Sequence, residues 1–135
     1  MPFIQVHSCR AVSPAVRSKL GFELAGLYAS AMQTDHRIVN VGFSTYPPGG
    51  LARYGESDED ASEMTILTCD VRSGRTPEAI EAFGSALTAL VAKALDVPEA
   101  RVAVYVTQHD AHEIYRDGGR APDWSAAEQR TPERE

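Results

Sequence analysis

With 135 residues, 43% of them hydrophobic and 24% charged, the chain holds one domain's worth of sequence and enough apolar material for a modest core. Its formal net charge of −6, with no basic block to offset it, argues against a nucleic-acid or anionic-membrane surface and leaves room only for a local cationic pocket. No run approaches membrane-spanning length, the opening MPFIQVHSCR is too short and polar for a signal peptide, and Cys9 and Cys69 lack CxxC or metal-like spacing, so both read as reduced thiols of a cytoplasmic protein.

Residues 2–8 (PFIQVHS) alternate in character and predict a strand. Ser13-Pro14 then supplies an N-cap followed by proline at the first helical position, where its missing N–H costs nothing. Val16, Leu20, Leu24, Leu27 and Ala31 recur behind it, so 14–32 is an amphipathic helix. Residues 37–45 (RIVNVGFST) place Val39, Val41 and Phe43 on one face of a second strand, and the turn-rich loop 46–60 follows. Residues 64–71 (MTILTCDV) form a third strand. Thr76-Pro77 repeats the cap and opens a helix carrying Ile80, Phe83, Leu87, Leu90, Val91 and Ala94, and 102–107 is a fourth strand.

The halves match each other. Thr76-Pro77 lies 63 residues after Ser13-Pro14, and the same offset pairs Gly21 with Gly84, Leu24 with Leu87 and Leu27 with Leu90. One extra linker residue then brings Arg37-Ile38 onto Arg101-Val102. The fold class expected is α+β (α/β): a duplicated β-α-β unit, halves about 2–45 and 64–107, with a four-stranded sheet and two helices on one face. Residues 1–124 form the single domain, and 125–135 are a polar C-terminal tail whose EQRTPERE ending predicts disorder. Trp124 anchors that tail on the body or on a neighbouring subunit. Phe3, Ile4 and Val6, and likewise Val102 to Val106, put apolar groups on both sheet faces. Two helices cover only one of them, so a homo-oligomer is expected.

Pro2 is the most informative residue. Removal of Met1 ahead of a small residue leaves proline with a free secondary amine at the head of a buried strand. Burial and nearby cations disfavour its protonated form, which makes it a base near neutrality. Arg72 and Arg75, in DVRSGRTPEA, lie between a strand end and a helix N-terminus, where two guanidinium forks and free N–H groups suit a carboxylate. The bland alternative pairs them with Asp70 and Glu78. Tyr105 lies mid-strand, where its phenol serves either substrate or core; His7 reads as a packing or interface histidine. HDAHE, from His109 to Glu113, has a His-x-x-His without further ligands, so no metal and no cofactor are expected.

Pro2, the duplicated β-α-β unit and the Arg-x-Gly-Arg segment before the second helix resemble the tautomerase superfamily. The resemblance is nearest to its cis-3-chloroacrylic acid dehalogenase-like group and runs over residues 2 to about 124, including Ser13-Pro14, the YPPGG loop and VYVTQHDAHEIY. It implies a homotrimer with Pro2 as the proton-transferring amine, Arg72 and Arg75 as the clamp on a small carboxylate substrate, and Tyr105 as a residue orienting water. Tyr28 stands where that group carries a histidine and joins the substrate-binding set. The water-activating glutamate's place falls among Tyr115, Arg116 and Asp117, with Glu113 or Asp117 as substitutes if the loop shifts. Tautomerisation asks only for Pro2 and the arginines, so a keto–enol tautomerase of a small 2-oxo acid is the expectation. A hydrolytic dehalogenase or hydratase of 3-haloacrylate-type acids is the runner-up, and a 3-oxo acid decarboxylase the third possibility. A catalytically silent trimeric binding module, or a dimeric ferredoxin-like barrel that gives Pro2 no role, are the alternatives of other classes.

Overall fold

The computed structural model describes residues 2–128. Strand β1 (Phe3–Ser8) leads to helix α1 (Pro14–Met32) and strand β2 (Asn40–Thr45). Two short strands, β3 (Ala52–Tyr54) and β4 (Ala61–Glu63), precede β5 (Thr65–Arg72), helix α2 (Pro77–Leu95) and β6 (Val102–His109). A last hairpin, β7 (Tyr115–Arg116) and β8 (Gly119–Arg120), leads into the C-terminal segment. The main sheet runs β2-β1-β5-β6, parallel within each half and antiparallel where β1 meets β5.

Both helices start as expected. The Ser13 and Thr76 hydroxyls accept from the N–H of Val16 and Ala79 at 3.2 and 3.1 Å, satisfying a free donor at each N-terminus, with proline next in line. Both helices are 19 residues long and end on a left-handed residue, Gln33 at φ 52° and Asp96 at φ 54°, which are also 63 positions apart. The offset needs no extra residue. The 3-10 turns over His36–Ile38 and Glu99–Arg101 keep it, so Val39, Val41 and Phe43 correspond to Val102, Val104 and Val106. That first turn also shortens the strand expected over 37–45, because Asp35 caps it through the Arg37 N–H.

The core lies between the helices and one sheet face: Ile4, Val6, Leu67, Cys69 and Val71 from strands meet Leu20, Leu24, Tyr28, Phe83, Leu87 and Val91 from helices. Each large apolar side chain taken fully from water there stabilises by about 1.5–3 kcal/mol. On α1 the buried stripe is Leu20, Leu24, Tyr28 and Met32, while Val16 stays 41% exposed. The other sheet face is more polar than the sequence suggests, since Val102, Val104 and Val106 all pack on the helix side. It carries the exposed Phe3 and Tyr105 beside hydrogen bonds from Gln5 to Ser44 and between His7 and both Tyr46 and Thr68. Among the described residues, no helix is long and apolar enough to cross a membrane.

Candidate active site

Antiparallel pairing brings the start of β1 beside the end of β5. Phe3 faces Asp70, so Pro2 stands at the sheet end where Arg72 closes β5 and Arg75 precedes α2. The last turn of α1 arrives at the same end, since β2 starts there and the Asn40 N–H donates to the Pro2 carbonyl at 3.0 Å. Pro2 is buried. Topology thus gathers residues 2, 28–34 and 72–76, which are distant in sequence.

Arg75 is reached through Gly74, whose φ of 127° lies in a region that side chains resist. All three of its guanidinium nitrogens donate: Nε and Nη2 to the Met32 carbonyl at 3.1 and 3.0 Å, and Nη1 to the Arg72 carbonyl at 3.0 Å. It therefore satisfies a carbonyl at the C-terminus of α1, where a cation also complements the helix dipole. Trp124 covers its outer face, and burial pulls its pKa down from the usual arginine value. Beside it a cavity of about 180 Å³ opens between Met32, Gln33, Gly74, Arg75, Thr76 and Trp124.

Arg72 is only 2% exposed. Its Nη1 donates to the Pro122 carbonyl at 2.7 Å and its Nη2 forms an ion pair with Glu128 at 2.5 Å. The Thr34 hydroxyl donates to the same Glu128 oxygen. Burial pushes the Glu128 carboxyl up, but hydrogen bonds from Arg72 and Thr34 and the charges of Arg72 and Arg75 outweigh it and hold the group below the usual range. The carboxylates that a local reading assigns to the arginines do other work. Asp70 pairs with His109 at 3.0 Å and accepts from Thr107, while Glu78 is exposed.

The other expected residues are more scattered. Tyr28 is 1% exposed and meets Phe83 edge-on at 5.3 Å, because its i+4 spacing from Leu24 turns it into the core rather than towards solvent. Burial pushes its phenol up to about 12, against the pull of Arg75 and Arg72. Tyr105 is 59% exposed on the sheet face away from the helices, level with Thr68. Glu113 is exposed in a 3-10 turn, its carboxylate grouped with Asp110 and His112 so that one ligand atom from each lies within 4.8 Å of the others. Among the described residues, those three are the group whose donors could hold an ion. Among the described residues, no hydrogen bond or ion pair joins Glu113 to Arg72 or Arg75.

Glu128, Thr34 and Pro122 escaped the sequence reading. Their signal is tertiary: a buried arginine demands an acid, and this one lies 56 residues on, in a stretch whose composition predicts a tail. Residues 129–135, the rest of the expected disordered ending, lie outside the described residues.

This arrangement is the tautomerase-superfamily β-α-β fold, with two helices on a mixed four-stranded sheet. The chain is similar to the crystal structure of N1, a member of the cis-3-chloroacrylic acid dehalogenase family, at a TM-score of 0.80 and 24% identity over 90% of this chain and 84% of that one. It is also similar to native fused 4-OT (TM-score 0.77, 21% identity, 88% of this chain and 95% of that one). The macrophage migration inhibitory factor of Toxoplasma gondii matches at a TM-score of 0.69 and 22% identity over 87% of this chain and 98% of that one. No protein-family model and no curated protein sequence matches the chain.

Proposed function

We propose that the protein is a tautomerase-superfamily enzyme that interconverts the enol and keto forms of a small 2-oxo carboxylic acid. The observation that carries this reading is the β1–β5 pairing, which sets a buried Pro2 at the sheet end that holds Arg72, Arg75 and the start of α2. With Met1 removed, the neutral Pro2 nitrogen takes the proton from the enol hydroxyl. The carbonyl forms as the double-bond electrons move to C3, and the same nitrogen returns the proton to that carbon. Arg72 and Arg75 hold the carboxylate, and their charge favours the neutral amine. Tyr28 backs the clamp from the core. Tyr105, on the open sheet face, serves the site of a neighbouring subunit, which fits a homotrimer; one fused 4-OT structure is described as a symmetric trimer.

Hydration or dehalogenation is the second reading, favoured by the similarity to N1. It assigns Glu113 to water activation and so requires its loop to move towards the arginines. Pro2→Ala in the intact chain tests the main reading: it is expected to remove most ketonisation of a 2-oxo acid's enol while light scattering still reports the trimer. Full turnover by that variant would overturn it. Saturable binding of 2-oxo acids without turnover by the wild type would favour a silent binding module.

A further inference from the structure

The cation assigned to substrate already has an anion on it. Arg72 is buried, and Glu128 gives it an ion pair while Thr34 holds the same carboxylate oxygen. The carboxylate reaches this place on a short segment with an identifiable root. Ala121 is fully buried and its N–H donates to the Ile114 carbonyl at 2.9 Å. Beyond it the attachments are mostly polar: the Pro122 carbonyl on Arg72, the exposed Asp123–Arg120 ion pair at 3.4 Å, the Trp124 ring on Arg75, the indole N–H on the Gln33 carbonyl at 3.0 Å, and Glu128 itself. Ser125, Ala126 and Ala127 are exposed, so between Trp124 and Glu128 no buried apolar side chain pins the segment.

We propose that residues 122–128 are a strap whose Glu128 occupies the carboxylate position of Arg72, so that a small carboxylic acid enters only by displacing it. The inference rests on the reading of Arg72 as the carboxylate clamp. The exchange is like for like: an incoming carboxylate gives Arg72 the same charge-assisted hydrogen bond and Thr34 the same acceptor, so the buried cation is never left unpaired. A stable apolar dock would resist such exchange, whereas a strap held by polar contacts opens at modest cost. Competition then lowers apparent affinity by the fraction of molecules in which the strap is open. Neutralising Glu128 removes the competitor while keeping its shape.

Trp124 is the sole tryptophan, so its emission reports the strap alone. The experiment uses the full chain, wild type, Glu128→Gln, and Glu128→Gln with Arg72→Gln, titrated with pyruvate by calorimetry and by the position of the emission maximum. The expected result is a shift of the wild-type maximum towards that of free indole along the binding isotherm. Glu128→Gln binds pyruvate about tenfold or more tighter, and Arg72→Gln abolishes the gain. Equal affinity of wild type and Glu128→Gln, with binding still lost on removing Arg72, overturns the strap and leaves the clamp standing. No binding by either form overturns both. Should Glu128→Gln fail to fold, the wild type decides alone: saturable binding with an unmoved Trp124 maximum overturns the strap.

Discussion

The guanidinium carbon of Arg75 lies 4.4 Å from the centroid of the Trp124 ring, while the same group donates twice to the Met32 carbonyl. One side chain thus joins the end of α1, the entry to α2 and the C-terminal segment. A lysine keeps the charge but not the fork that spans Met32 and Arg72. Arg75→Lys is expected to cost about 1–3 kcal/mol in urea unfolding, since buried carbonyls lose their donors. A cost near zero would mean that the contacts in this corner contribute little.

Acid is expected to release the strap. A depressed native pKa at Glu128 means docking free energy that is complete above the unfolded value of about 4.3 and is lost as pH falls through the lower native value. The Trp124 emission maximum should hold from neutral pH to about 5 and move only below about 4, the range set by the ordinary glutamate value. Glu128→Gln should lack that step. A step that survives in the glutamine variant belongs to another carboxylate with a depressed native value, Asp35 or Asp70.

Gly74 is held at φ 127°, and a Cβ built there lies 3.2 Å from the Trp124 ring. Gly74→Ala meets both the backbone penalty and the indole. It is expected to cost about 1–3 kcal/mol and to shift Trp124 emission in the absence of ligand. Unchanged emission would show that the turn relaxes away from the ring.

Tyr28 separates packing from chemistry. Tyr28→Phe keeps the edge-on contact with Phe83 and is expected to change stability by no more than about 1 kcal/mol. Tyr28→Ala should cost about 3–5 kcal/mol through the cavity it leaves. With the phenylalanine variant, the Michaelis constant for a 2-oxo acid should stay near the wild-type value. A tenfold rise, about 1.4 kcal/mol, would place the hydroxyl on the substrate.

Much of the fold is legible because its signals are local. The Ser13-Pro14 and Thr76-Pro77 caps, the helical spacing behind them and the 63-residue echo between the halves are written in neighbouring residues. The β3–β4 hairpin was not legible. Its strands are three residues each and mostly exposed, too short for alternation to show, and they flank an acidic run that reads as loop. The left-handed ends at Gln33 and Asp96 were equally hidden, since neither is the glycine that usually marks such a turn.

The two β-α-β units, their caps and the placing of Arg72 and Arg75 between strand and helix are written in local sequence, because hydrophobic period and capping chemistry act over a few residues. What those arginines touch depends on contacts between segments distant in sequence. The antiparallel β1–β5 pairing sets Pro2 at their end of the sheet, and the chain's return after Ala121 brings Trp124 and Glu128 onto them. Burial turned a solvated charge into one that requires a counter-ion. The acid that meets that need was settled by where the chain returns, which no local pattern encodes.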